Sequence, residues 1–109
     1  MNFNQEAPNV VTEAQFKYLL EEEGFFAEVV CQEEPEHKYG HWRGSWFFKA
    51  VDSQGETEKL LVPFRTDPRK GIQVREFKTA SGLISFLLSL GFKEMAFPME
   101  PGKKMRLKL

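Results

Sequence analysis

The sequence predicts an α+β domain: two helices with an antiparallel meander sheet of about four to six strands, in the order α-β-β-β-β-α-β(-β). Three observations carry this. Two segments, one near each end of the chain, space their apolar residues for a helix, and each stops at a glycine. Between them, short stretches alternate apolar and polar residues and are separated by turn-forming residues. The chain has 109 residues, 41% hydrophobic and 28% charged, which is the balance of one globular domain.

Residues 1–11, which include Pro8, read as a flexible leader, and residues 12–109 as the domain. Thr12-Glu13-Ala14-Gln15 has capping-box spacing, so a helix is expected from Thr12 to about Glu23. Phe16, Leu19 and Leu20 form its apolar stripe, and Gly24 ends it. Phe25 to Gln32 alternates as a strand. Glu33 to Gly44, polar and containing Pro35 and Gly40, reads as a loop. Ser45 to Asp52 is the next strand, and Asp52-Ser53-Gln54-Gly55 turns it toward Thr57 to Arg65, where Pro63 implies an edge or a bulge. After the turn at 66–71, Ile72 to Lys78 reads as a strand. A second helix spans about Ala80 to Leu90, capped by Thr79 or Ser81 and stopped by Gly91. It is apolar on most sides, which predicts deep packing or a partner. Lys93 to Met99 and Met105 to Leu109 supply one or two closing strands.

Charge is uneven. Residues 1–36 hold nine acids and one base, whereas the remainder holds seven acids and fourteen bases, leaving a net charge of −1. Global attraction to a polyanion is therefore not expected, but a local basic or acidic patch is. No signal peptide is expected from the first residues. The greasiest stretch, Gly82 to Phe92, falls short of the roughly 20 apolar residues that span a bilayer. Cys31 is the only cysteine, which excludes an internal disulfide and fits a cytoplasmic protein without a membrane partner.

No phosphate loop, nucleophile elbow, zinc-protease motif or dinucleotide fingerprint is present, so neither an enzyme nor a cofactor is expected. A small enzyme or metal protein built on Cys31, His37 and His41 is an alternative. Its obstacles are that one Cys with one His pair matches no zinc spacing, and that alternation places Cys31 on an apolar face.

The chemistry expected is binding. Alternation assigns Trp46, Phe48, Ala50, Leu60, Val62, Phe64, Ile72 and Val74 to the core. It leaves Phe26, Phe47, Lys49, Lys59, Leu61, Gln73, Arg75 and Phe77 on the opposite face. Rings interleaved with bases can stack unpaired bases and hold phosphates, which makes single-stranded nucleic acid the first ligand expected. A second copy of the chain is the other candidate cover for such a face. His37, Tyr39, His41, Trp42 and Arg43 join Phe47, Lys49, Arg75 and Phe77 as candidate ligand-binding residues, because aromatic and cationic groups flanked by glycines suit a gripping loop. In the second functional alternative, the acidic stretch Glu21 to Glu36 binds a basic protein partner as a regulator or inhibitor.

Overall fold

The computed structural model describes residues 9–64 and 68–109. The order is β1 (Val10–Val11), α1 (Glu13–Glu22), β2 (Phe26–Lys38), β3 (His41–Val51), β4 (Glu58–Leu61), a 3-10 turn (Pro68–Lys70), β5 (Phe77–Thr79), α2 (Ala80–Leu90) and β6 (Lys104–Leu107). The α+β class and the two helices match the expectation. The sheet, however, is mixed rather than a meander. Its order is β1-β4-β3-β2-β6, with β5 paired to β3 and β1 parallel to β4. Of the expected leader, Val10 and Val11 form a strand, and residues 1–8 lie outside the described residues.

Both helices are ended by the predicted chemistry. The Thr12 N–H donates to Gln15 Oε1 at 2.9 Å, one half of a capping box. Thr79 Oγ1 accepts from the Gly82 N–H at 3.0 Å, and Phe92 N–H reaches back to Leu87 O at 3.2 Å past Gly91. No described helix is long and apolar enough to cross a membrane.

The largest departure lies between Glu33 and Gly44. In place of a loop, β2 and β3 continue as one long antiparallel hairpin closed by Tyr39 and Gly40. Those residues have φ of 53° and 79°, the positive pair that a two-residue hairpin turn needs for its twist to match the strands. The ladder is irregular between Cys31 and Glu36, so the extra residues of β2 bulge around Pro35, where a missing N–H breaks no ladder bond. Two expected strands shrink or vanish. Of the expected strand 72–78 only Phe77 and Lys78 fall in β5, and Lys93 to Met99 runs as irregular chain toward β6.

Both helices pack on one face of the sheet. Cross-strand partners share a face, and the pairs Ala27↔Ala50, Val29↔Phe48 and Cys31↔Trp46 define this inner one. Phe16 of α1 and Phe86 of α2 meet Phe48 and Phe77 with ring centroids 4.8–6.2 Å apart, mostly tilted or edge-on. Each such ring, fully buried, contributes about 1.5–3 kcal/mol of apolar transfer. Arg75 caps the cluster: its guanidinium lies 5.0 and 4.8 Å from the Phe77 and Phe86 centroids and pairs with Glu13 of α1.

The expected face assignment therefore slips by one residue on β4 and fails on β5. Lys59 pairs with Ala50 and Leu60 with Lys49, so Leu61 is inner and Leu60 outer. Three apolar residues in a row, Leu60–Val62, leave the parity of alternation undefined, and the β3 partner decides it. Phe77 sits opposite Trp46 in the core, while Phe64 and Ile72, expected inside, are 86% and 74% exposed. After Leu61, Pro63 ends the pairing and the chain leaves the sheet, carrying both residues with it.

Candidate functional site

Two surfaces remain once the inner face is satisfied. The first is the outer half of the hairpin. β6 flanks β2 only from Ala27 to Val30, with the Cys31 N–H and C=O completing the contact through Lys103 and Gly102. β5 flanks β3 only as far out as Arg43. Beyond these points, among the described residues, the two strands pair only with each other. A lone two-stranded ribbon is marginal in water, so the anchoring of its root matters.

Trp46 supplies that anchor. Its indole is buried, donates from Nε1 to the Pro98 carbonyl at 2.8 Å and meets Phe97 edge-on at 5.5 Å. Gly44 makes room for it, because a Cβ there would lie 3.0 Å from both the Trp46 ring and the Glu33 carbonyl oxygen. Ser45 is buried beside it, its single hydroxyl proton placed to donate either to Gln32 Oε1 on β2 or to Glu76 Oε2 in the segment before β5.

An apolar cleft of about 290 Å³ opens beside this root, lined by Pro35, Trp42, Trp46, Ala80, Phe97 and Met99. Trp46 and Phe97 belong to the packed interior, whereas Trp42 and Met99 remain 56% and 59% exposed. A polar hollow lined by Glu33, Glu34, Glu36, Lys38, Arg43 and Lys78 also flanks the hairpin. At the tip, the His37 ring packs on Trp42 with centroids 5.0 Å apart, and Tyr39 is 92% exposed. Of the residues picked from sequence, His37, Tyr39, His41, Trp42 and Arg43 thus lie together on the hairpin. Pro35, Ala80, Phe97 and Met99 were not picked. They are distant in sequence, and only the docking of the 93–99 segment against Trp46 joins them.

The second surface is the outer face of the sheet, on which neither helix packs. Phe26, Glu28 and Val30 of β2 lie there with Phe47, Lys49 and Val51 of β3, Leu60 of β4 and Lys104 and Arg106 of β6. Lys108 closes one end, its Nζ 5.6 Å from the Phe26 centroid. Phe47 and Lys49 are here as expected. Arg75 and Phe77 are not, since both belong to the inner cluster. The β6 cations were missed because their alternation reads as an ordinary charged edge strand. Glu28 is the unusual member. It is fully buried, Arg106 Nε donates to its Oε2 at 2.9 Å, and among the described residues Oε1 has no partner.

The remaining candidates separate. Cys31 is buried, its thiol donating to the Glu33 carbonyl at 3.3 Å, and burial, aided by the charge of Glu34, pushes its pKa up. His37 lies six residues along β2, about 20 Å away at strand rise, so the two do not meet. Among the described residues no three His, Cys, Asp or Glu side chains cluster as a metal site. The acidic stretch is divided: Glu21 to Glu23 end α1 and its following turn, Glu28 is spent on Arg106, and Glu33 to Glu36 lie toward the hairpin tip. On α2, Leu83, Phe86, Leu87 and Leu90 are buried, while Ile84 and Leu88 stay exposed. No family model, curated protein or solved structure matches the chain.

Proposed function

We propose that this chain is a non-catalytic binding module that takes an apolar side chain of a partner protein into the cleft at the hairpin root, while His37, Tyr39, His41 and Arg43 grip the surrounding surface. The observation that carries the reading is the cleft itself, whose lining is apolar and whose outer wall is two large exposed side chains, Trp42 and Met99. Large apolar groups held in water at a concave site mark contacts, because covering them removes unfavourable hydration. The volume is at the low end for ligand sites and suits one aromatic side chain.

The charge around it favours protein over nucleic acid at this site. The hollow beside the cleft balances Glu33, Glu34 and Glu36 against Lys38, Arg43 and Lys78, so it offers phosphates no net positive charge, and Lys38 already lies 3.6 Å from Glu36. A lone free thiol suits a reducing compartment, and a cytoplasmic location belongs to the same proposal.

Calorimetric titration with a short Ser/Gly peptide carrying one central Trp tests this. Saturable binding is expected, lost when the peptide's Trp is replaced by Ala and lost with Trp42→Ala in the protein. Equal heats from both peptides, or binding indifferent to Trp42→Ala, would overturn it.

A further inference from the structure

The outer face of the sheet combines three features that the hairpin does not use. Its rings, Phe26 on β2 and Phe47 on β3, are half-buried and lie on neighbouring central strands. Its rim is cationic: Lys104, Arg106 and Lys108 alternate along one short stretch that carries no acid, with Lys49 across the sheet. At its centre the buried Glu28 carboxylate keeps one oxygen without a donor.

A buried acceptor left unpaired costs about 1–3 kcal/mol, and among the described residues no donor meets it, so a ligand's N–H would gain by doing so. Lys49 faces Glu28 across β3 but its ammonium is 3.2 Å from Glu58, and the Arg106 guanidinium is engaged with the other Glu28 oxygen. Lys49 is a long side chain in a part-exposed pair with Glu58 and can swing aside at small cost, while Arg106 stays on the other Glu28 oxygen.

An occupant must offer flat apolar faces, N–H donors at their edges and regularly spaced negative charge. Single-stranded nucleic acid has all three: bases stack on aromatic rings, base edges donate, and phosphates meet Lys and Arg. An acidic peptide or an anionic lipid surface has the charge and N–H donors, but no flat ring on every charged unit to stack on Phe.

We propose that the outer sheet face binds single-stranded nucleic acid, with Phe26 and Phe47 as stacking platforms, Lys104 and Lys108 on phosphates, and the open Glu28 oxygen accepting from a base edge. It is independent of the hairpin cleft.

Fluorescence anisotropy with a labelled single-stranded oligonucleotide of mixed sequence tests it on the whole chain. Binding should weaken with salt, and Lys104→Glu with Lys108→Glu should flatten the slope of log K against log salt by about 1.4, near 0.7 per phosphate contact. Phe47→Leu keeps the apolar volume but removes the ring, and should weaken binding roughly tenfold. Trp42→Ala should leave oligonucleotide affinity unchanged, which separates this site from the cleft. Circular dichroism confirms that each variant folds. No binding at low salt would overturn the proposal. So would competition by polyglutamate or phosphatidylserine vesicles as strong as by unlabelled oligonucleotide with Phe47→Leu without effect, because the face would then be reading charge only.

Discussion

The root and the tip of the β2–β3 hairpin share one ladder, yet they are held by different forces. At the root, Cys31, Trp46, Phe48 and Ala50 are buried under two helices, and β4, β5 and β6 pair on both sides. At the tip, His37, Tyr39, His41, Trp42 and Arg43 are exposed, and beyond the Arg43–Thr79 pair with β5 the two strands, among the described residues, pair with each other alone. The difference teaches that the ribbon's stability is imported from its root. The tip then keeps aromatic side chains in water that a core would otherwise absorb, which is a cost a binding surface recovers on contact.

The comparison can be broken at the root first. Trp46→Ala removes a fully buried indole, its hydrogen bond to Pro98 and its edge contact with Phe97, and should cost about 3–5 kcal/mol in denaturant unfolding. Gly44→Ala should cost about 1–3 kcal/mol, since the new methyl meets backbone at the Glu33 carbonyl and Pro35 and has no free direction to move. A cost near zero would mean that the strands are not held together as tightly as the Trp46 packing requires.

The outer face offers a sharper comparison, between an ion pair and its parts. Arg106→Met leaves Glu28 buried without a counter-charge and should destabilise by about 1–3 kcal/mol. The double change Glu28→Leu with Arg106→Met should restore most of that, because an apolar pair of similar volume needs no desolvation. If the double variant is no more stable than the single, the carboxylate is not the source of the cost.

The smallest effect belongs to the β3–β4 turn. Its Asp52 carboxyl, slightly desolvated, is nevertheless held below the usual aspartate range by the N–H groups of Glu56, Thr57 and Gly55. A lowered folded-state value means that the carboxylate's contribution is complete above the ordinary aspartate pKa and fades as pH falls through the depressed one. The protection factor of the Glu56 amide, its exchange rate relative to an unstructured amide at the same pH, should therefore fall at acidic pH in the wild type and lose that pH dependence in Asp52→Asn.

The helices, their caps and the inner faces of β2 and β3 were legible in the sequence because local signals agreed: Thr12 with Gln15, Thr79 with Gly82, and clean alternation from Ala27 to Cys31 and Trp46 to Ala50. The rest was decided by distant partners. Leu60–Val62 has no parity of its own until β3 pairs with it. Val10–Val11 is too short to be a strand without β4 beside it. Glu33–Gly44 carries Pro, Gly and charge, the composition of a loop, because an exposed ribbon uses the residues that keep an edge from sticking. The tip half of the candidate site was therefore visible as residues but not as geometry, and the walls contributed by Phe97 and Met99 were not visible at all.

Parallel unfolding and Trp-peptide titration of Trp42→Ala is the most direct measurement. The expected result is stability within about 0.5 kcal/mol of wild type, as for a surface change, together with loss of peptide binding. A destabilisation of several kcal/mol, or full stability with peptide binding retained, would contradict the division of labour between root and tip.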